Sequence, residues 1–202
     1  PPPPPPPPTR RPPTTTHTLH RRQRQMCIRD RATLEWTIDN WAGPLLLDAD
    51  AVNLLADRPE RLAGRTVAPI LTPHPGELAR LLGSDTGAVV ADRLGAAREA
   101  AGRAESVVVA KGFRTIVAAP DGQAWINPTG DAHLASGGSG DVLTGAISGL
   151  LAQRLEPIRA ALIGCWLHGR AGELGGEDFP AATPAGYQSH LLAAAWQELE
   201  ER

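Results

Sequence analysis

A glycine-rich segment that ends in a carboxylate is the part of the sequence best suited to chemistry. Residues 136–141 read SGGSGD, and an apolar pattern typical of a helix follows directly. Gly138 and Gly140 permit positive φ angles and close approach of a ligand to the backbone. The N–H groups of such a turn, with the positive end of a helix dipole, bind anions such as phosphate. Asp141 could then accept a proton from a hydroxyl group that attacks that phosphate.

The same segment also has a purely structural interpretation. An aspartate at a helix start is commonly an N-cap, which contributes about 1 kcal/mol, and the glycines could serve tight packing. The segment is not a Walker A loop, since no GKS or GKT follows, and Leu143 replaces the third glycine of a dinucleotide-binding fingerprint. The local sequence therefore leaves both interpretations open.

A second candidate is the segment TPHPGE at residues 72–77. Two prolines restrict the backbone on either side of His74, which could bind a ligand or transfer a proton. The alternative is a rigid turn in which Glu77 stabilises the start of a helix.

A third candidate, KGFRT at residues 111–115, contains the only lysine of the chain. Lys111 follows a predicted strand, where its ammonium group could meet a nucleotide phosphate. The alternative is a solvated lysine before a bend. Mg²⁺ held by phosphate oxygens needs few protein ligands, and the sequence contains no spacing typical of a protein-only metal site.

Alternating strands and helices must position these segments. Strands are predicted within 44–52, 66–72 and 106–112, and a hairpin over 115–127 around Pro120-Asp121-Gly122. Helices are predicted over 33–42, 51–63, 75–83, 86–103, 157–175 and 189–202, and a further helix begins near Asp141 with an apolar stripe from Val142 to Leu151. This order predicts a layered α/β sheet. Because ligands bind beyond the carboxyl ends of strands in such sheets, the segments DAD, TPHPGE, KGFRT and NPTGD are expected to line one crevice.

The first 31 residues differ in composition from the rest of the chain. They contain eight consecutive prolines and a net charge of +6, whereas the whole chain carries −2, so the remainder carries −8. Low-complexity sequence of this kind cannot form a core. We expect residues 1–31 to be a disordered tail that is not native to the protein, and residues 32–202 to form the domain. A genuine disordered basic arm is the alternative.

Composition also indicates which binding partners and which cellular compartment to expect. The excess of arginine lies in the tail and not on a folded face, so no nucleic-acid partner is expected. The sequence contains no apolar run long enough for a membrane span or a secretory signal. Two cysteines, Cys27 and Cys165, form no disulfide framework, which favours a reducing cytoplasm.

Five motifs along the chain carry a resemblance to one protein family. They are LLLDADAVNLLA, LTPHPGELARLLG, VVVAKGFRTIV, WINPTGDAHLASGGSGDVLTGAISGLLAQ and ALIGCWLHGRAGEL. Over residues 34–175 the chain resembles the ADP- or ATP-dependent NAD(P)H-hydrate dehydratases. The resemblance implies a three-layer, ribokinase-like α/β fold with a mostly parallel sheet. The glycine-rich GPGLG-like loop of the family's N-terminal portion is absent here, so the fold is expected to be incomplete at its N-terminus.

The resemblance implies a reaction that repairs a nicotinamide cofactor. NADH or NADPH whose ring has gained water is phosphorylated on its 6-hydroxyl group by ADP or ATP with Mg²⁺, and loss of phosphate restores the double bond. It further implies a cytoplasmic homotetramer for the full-length protein.

Site residues follow from the same resemblance. Asp141 matches the catalytic and hydrate-binding position, and His74 matches a hydrate contact. The resemblance places Asp50 and Asn53 in a motif assigned to the substrate. The positions matching the nucleotide-binding segment and turn are Lys111, Gly112, Phe113, Arg114, Thr115, Gly138 and Gly140.

Two other functions use the same features. A ribokinase-like kinase acting on a vitamin-precursor alcohol would use Asp141 in the same way, and it would accumulate a phosphorylated product. A non-catalytic nucleotide-binding module would bind nucleotide equally well with Asp141→Asn and turn over nothing.

Overall fold

A five-stranded sheet forms the centre of the molecule. The computed structural model describes residues 31–56 and 58–201, so all but the last residue of the predicted tail lies outside the described residues. The strands are β1 (Leu46–Leu47), β2 (Ile70–Leu71), β3 (Val107–Ala110), β4 (Ile116–Ala118) and β5 (Ala124–Ile126), and they lie in that order across the sheet.

The described sheet is mixed. β1, β2 and β3 pair in parallel, whereas β4 pairs antiparallel with both β3 and β5. The sheet was expected to be mostly parallel, but both pairings of β4 are antiparallel, because the connections at residues 111–115 and 119–123 are too short for a parallel crossover. The second connection is the turn of the hairpin predicted over 115–127. As a result β5 runs in the same direction as β3, and both carboxyl ends lie at one edge.

Helices cover both faces of the sheet, which gives three layers. They are α1 (residues 31–40), α2 (Asp50–Leu54), α3 (Pro75–Leu82), α4 (Thr86–Ala91), α5 (Arg93–Ala104), α6 (Ser139–Ala152), α7 (Pro157–Gly175) and α8 (Ala185–Glu200). Successive residues along a strand point to opposite faces of the sheet and belong to two separate hydrophobic cores. Leu71 and Val108 pack with α1 to α5, and Ile70 and Val107 pack with α6 to α8. The predicted α/β layering is confirmed.

The helix predicted over 86–103 is two helices. Asp92 separates α4 from α5 because its backbone leaves the helical region, at φ −135° and ψ 74°. Its carboxylate instead accepts a hydrogen bond from the Gly95 N–H at 2.8 Å and caps α5. An aspartate inside an apolar periodic pattern is thus a start signal for a second helix.

Close packing of α6 against α7 depends on Gly164. A Cβ at this buried position would lie 2.5 Å from Ile147 Cγ1, so we expect Gly164→Ala to lower the free energy of unfolding by about 1–3 kcal/mol. Gly149 is exposed in α6 with no atom within 4 Å of such a Cβ, so Gly149→Ala should raise stability by about 0.5–1 kcal/mol. Urea denaturation of both variants tests this, and equal stability of the two would contradict the packing.

Candidate functional site

A cavity of about 670 Å³ opens at the carboxyl edge of β2, β3 and β5. Its walls come from the segments after these strands and from α6 and α7. The lining residues are His74, Pro75, Lys111, Gly112, Phe113, Arg114, Thr115, Asn127, Thr129, Gly130, Asp131, Ala132, Leu134, Ala135, Ser136, Ser139, Gly140, Leu143, Cys165, His168 and Gly169. Three of the four segments expected to share a crevice therefore line one cavity.

The glycine-rich turn ends at the start of α6. Gly138 is the N-cap, in the left-handed conformation at φ 86°, and no side chain caps this helix. The N-cap interpretation of Asp141 is therefore wrong, because its carboxylate lies exposed in the first turn. The Gly140 N–H has no hydrogen-bond acceptor among the described residues, and Gly140 lies on the cavity wall. This helix start is suited to an anion.

Asp141 is close to this wall but does not line the cavity. A Cβ on Gly138 would lie 3.9 Å from Asp141 Oδ2, which places the carboxylate beside the glycine turn. A ligand that fills the cavity and extends past Gly138 would bring its outer part to Asp141.

The ammonium group of Lys111 lies close to the same helix start. Its ammonium group donates to Asp48 Oδ1 at 2.8 Å and lies 3.9 Å from Glu77 Oε2. A Cβ on Gly140 would lie 3.6 Å from Lys111 Nζ. The positive end of α6 and the ammonium group therefore face one place on the cavity wall.

Asp48 holds this lysine in position. Its Oδ1 also accepts a hydrogen bond from Thr72 at 2.7 Å, and its Oδ2 accepts one from Thr144 of α6 at 3.0 Å. Burial alone would raise the pKa of Asp48, but the hydrogen bonds from Lys111 and the two threonines, with the charge of Lys111, hold this pKa below its usual value. Asp48 is thus ionised and ties β1 to α6.

His74 both caps α3 and lines the cavity. Its Nδ1 accepts from the N–H groups of Gly76 and Glu77, at 3.0 and 3.3 Å. Glu77 in turn accepts from the His74 backbone N–H at 2.8 Å, which completes a capping box. The structural alternative for this segment is confirmed. The other ring nitrogen, Nε2, lies 3.3 Å from Glu77 Oε1, so Glu77 contacts both the backbone and the ring of His74.

The KGFRT segment forms a tight loop on the cavity wall. Gly112 has φ 145° and Arg114 has φ 57°, so the chain turns sharply after β3. Thr115 Oγ1 donates to the Gly112 carbonyl group, and the Arg114 guanidinium donates to the Pro128 carbonyl group at 2.8 Å. Phe113 is 74% exposed, and the Arg114 guanidinium lies over its ring, 5.5 Å from the ring centroid.

Arg93 of α5 supports this loop and was not identified from the sequence. Its guanidinium donates to the carbonyl groups of Ala110 and Phe113. A Cβ on Gly112 would lie 2.9 Å from Arg93 Nη2, so the loop requires a glycine there. Burial lowers the pKa of Arg93. An arginine in the middle of a helical pattern gives no sequence signal for this contact.

The structure does not place Asp50 and Asn53 at the cavity. Both belong to α2, where Asp50 is exposed and Asn53 Oδ1 accepts from Arg80 at 3.0 Å. Asp48, two residues before Asp50, is the acidic residue that reaches Lys111. Its position directly after β1 was the signal that could have identified it.

His168 of α7 is a buried, uncharged cavity residue that the sequence analysis did not assign. Its Nε2 lies 3.0 Å from Ser139 Oγ. Burial lowers the pKa of His168 to about 4, against the opposing effect of hydrogen bonds with the Ser139 backbone and the Gln188 side chain.

This pKa predicts a pH-dependent stability. Because the folded pKa lies below the unfolded value of 6.5, the unfolded chain takes up the proton first. The free energy of unfolding should therefore fall by about 3 kcal/mol as the pH drops from 6.5 to 4. Urea denaturation should show a steeper loss of stability between pH 6.5 and 5 for the natural chain than for His168→Gln. Parallel pH profiles would contradict this assignment.

Neither a metal cluster nor a membrane span is found in the described part of the chain. Residues 31–56 and 58–201 contain no group of three or more His, Cys, Asp or Glu side chains that could hold a metal ion. Within the same residues, no helix combines the length and apolar character needed to cross a membrane.

The fold defines a class of protein, a ribokinase-like α/β protein. A ribokinase-like superfamily protein from Enterococcus faecalis superimposes with a TM-score of 0.60 at 25% identity, covering 76% of this chain and 52% of that one. The predicted fold class is confirmed.

The family follows from the sequence comparisons. A family model described as NAD(P)H-hydrate dehydratase matches residues 28–196. The chain belongs to this NAD(P)H-hydrate dehydratase family, as the motifs predicted. It is 44% identical over 161 residues to the ADP-dependent (S)-NAD(P)H-hydrate dehydratase of Neisseria meningitidis serogroup B, covering 79% of this chain and 54% of the relative.

A solved structure supports the same family. The ADP/ATP-dependent NAD(P)H-hydrate dehydratase of Bacillus subtilis, co-crystallised with ATP and Mg²⁺, superimposes with a TM-score of 0.66 at 39% identity, covering 77% of this chain and 55% of that one. The chain thus spans about half the length of these two relatives. It spans about a quarter of the bifunctional NAD(P)H-hydrate repair enzymes that it also matches.

Proposed function

We propose that this protein catalyses the ADP- or ATP-dependent dehydration of (S)-NAD(P)H-hydrate to NAD(P)H. The observation that carries the proposal is the convergence of Lys111 and the start of α6 on one wall of the cavity. Family membership and the names of the relatives support the same reaction.

The nucleotide is proposed to bind with its phosphates between Lys111 and the first turn of α6. The Gly140 N–H and the Lys111 ammonium would hold the phosphoryl group that is transferred, where a fixed positive field stabilises the charge that develops on it. Gly112, Phe113, Arg114, Thr115 and Gly138 would shape the rest of the nucleotide site.

The hydrate is proposed to place its 6-hydroxyl group beside Asp141, with His74 as a further contact. Asp141 takes the hydroxyl proton as the oxygen attacks the terminal phosphorus and the nucleotide leaves as its next lower phosphate. The ring nitrogen then donates electrons while the carbon–oxygen bond breaks, phosphate departs, and loss of a proton from the neighbouring ring carbon restores the double bond. The structure places Asp50 and Asn53 on α2, outside the cavity. Their role in substrate binding therefore stays a prediction from the resemblance.

Mg²⁺ is an expected companion of the nucleotide. The carboxylates nearest Lys111 do not form a site for it, because Asp48 and Glu77 are already engaged by Lys111, the threonines and His74. Phosphate oxygens and water would therefore have to supply most of its ligands, and no step above depends on it. A cytoplasmic location, a homotetramer and the domain boundary at residues 31 and 32 also stay predictions.

Product analysis separates this proposal from a kinase that stops after phosphoryl transfer. The 202-residue chain is incubated with NADH hydrate, ADP and Mg²⁺, and the products are identified by mass spectrometry. We expect NADH, AMP and inorganic phosphate in equal amounts. A phosphorylated hydrate that accumulates without NADH would identify the kinase, and unchanged hydrate with bound ADP would identify a binding module.

A further inference from the structure

The part of the cavity wall that follows β5 is built directly on helix α7. This wall segment comprises residues 127–131, and most of it lines the cavity. The Asn127 side-chain amide donates to the Cys165 carbonyl group at 3.0 Å, and Thr129 Oγ1 donates to the carbonyl group of the next α7 residue at 2.9 Å. A Cβ on Gly169 would overlap Thr129, so the wall segment lies against the helix backbone. Two hydrogen bonds therefore anchor the wall segment to α7.

A third anchor uses a charged group. The Gly130 N–H donates to Glu173 Oε1 of α7 at 2.7 Å. A hydrogen bond to a carboxylate is about twice as strong as one between neutral groups. Glu173 does not line the cavity, so it can act on a ligand only through the wall segment.

Both oxygens of Glu173 are engaged, which fixes the orientation of its carboxylate. Glu173 Oε2 accepts from Arg170 Nη1, one turn earlier in α7, at 3.0 Å. Arg170 in turn donates to both carboxylate oxygens of Glu198 in α8, at 2.6 and 3.0 Å. A bidentate pair of this kind holds the guanidinium plane in one geometry. Contacts from two helices therefore direct the Glu173 carboxylate at Gly130.

The wall segment is also hydrogen-bonded to the KGFRT loop. The Arg114 guanidinium donates to the Pro128 carbonyl group at 2.8 Å, and the Asn127 backbone N–H donates to the Thr115 carbonyl group at 2.8 Å. A displacement of the wall segment would therefore move this loop, which the proposed function assigns to the nucleotide.

We propose that Glu173 is a positioning residue for the nucleotide, because its bond to the Gly130 N–H holds the wall segment and, with it, the KGFRT loop. This inference rests on the proposed function and adds to it a residue outside the cavity. The Lys111 ammonium is tied to α6 separately, through Asp48 and Thr144. Loss of the Glu173 carboxylate should therefore weaken the binding of a nucleotide and leave the binding of inorganic pyrophosphate unchanged.

NMR of the ¹⁵N-labelled natural chain tests the Gly130 anchor without any ligand. An amide proton bonded to a carboxylate is shifted downfield and exchanges slowly with solvent. In Glu173→Ala we expect the Gly130 amide proton to move upfield and to exchange about tenfold faster. An unchanged shift and exchange rate would overturn the proposal. If Glu173→Ala does not fold, the natural chain decides, because fast exchange of its Gly130 amide overturns the proposal and slow exchange supports it.

Calorimetry with ADP and pyrophosphate as separate probes tests the consequence for ligands. We expect Glu173→Ala to bind ADP about tenfold more weakly and to bind pyrophosphate within about twofold of the natural chain. A general loss of structure would weaken both probes, so an equal loss for both overturns the proposal. An ADP affinity shared by the natural chain and Glu173→Ala overturns this inference alone. A natural chain that binds pyrophosphate but not ADP would contradict the proposed function, and this inference with it.

Glu60→Ala is a matched control, because it also removes a carboxylate that accepts from an arginine. Glu60 accepts from Arg103 of α5 at 3.1 Å and does not line the cavity. We expect its ADP affinity and its Gly130 amide shift to equal those of the natural chain. A loss of ADP affinity as large as that of Glu173→Ala would show that the effect is not specific to Glu173 and would overturn the proposal.

Discussion

Asp141→Asn is expected to lower the rate of NADH recovery from NADH hydrate by about 10³-fold, because an amide cannot take the hydroxyl proton. The side chain is exposed in the first turn of α6 and does not cap the helix. The substitution should therefore cost less than about 1 kcal/mol of stability, through the lost interaction with the helix dipole. Affinity for ADP should stay within about twofold, as for other surface substitutions. Rate measurements at saturating ADP, with calorimetry for ADP binding, check both parts.

Asp85→Asn is a matched control for this substitution. Asp85 caps α4 by accepting from the Ala88 N–H at 3.0 Å, and asparagine caps a helix equally well. We expect its rate to equal that of the natural chain. Full activity in Asp141→Asn, or an equal loss in Asp85→Asn, would contradict the role given to Asp141.

Lys111→Met is expected to weaken ADP binding by about 10- to 100-fold, since it removes a charged donor from the phosphate site. It also leaves Asp48 and Glu77 without their shared cation, so a lower melting temperature should accompany the weaker binding. Calorimetry below the melting temperature of the variant separates the two effects.

Arg98→Met controls for the loss of one positive charge. Arg98 is exposed on α5 and makes no contact with the cavity. Its variant should bind ADP as the natural chain does. If Lys111→Met also binds ADP with unchanged affinity while remaining folded, the phosphates do not lie at the start of α6.

Sequence patterns predicted the fold because each pattern has a local cause. The run of β-branched residues at 107–109 lies in the fully buried β3, and the Pro120-Asp121-Gly122 turn closes the hairpin. Residues directly after strands met at one cavity because parallel strands end at one edge. The position of KGFRT and TPHPGE in the cavity followed from that rule alone.

Local sequence patterns could not predict contacts between residues that lie far apart in the chain. Asp48 and Thr144 are 96 positions apart, and Ser139 and His168 are 29 apart, so only the folded chain shows that they bond. The helix break at Asp92 depends on one side-chain hydrogen bond that competes with an unbroken apolar pattern. The N-cap of α6 was equally ambiguous, because its assignment depends on the backbone conformation of Gly138 and not on the aspartate that follows.

The most direct test of the proposed function is the return of NADH absorbance. The 202-residue chain is mixed with NADH hydrate, ADP and Mg²⁺, and the absorbance is followed with and without the nucleotide. Our account predicts recovery of NADH only when ADP or ATP is present, with one nucleotide consumed for each NADH formed. Nucleotide consumption without any NADH, or NADH recovery that needs no nucleotide, would contradict it.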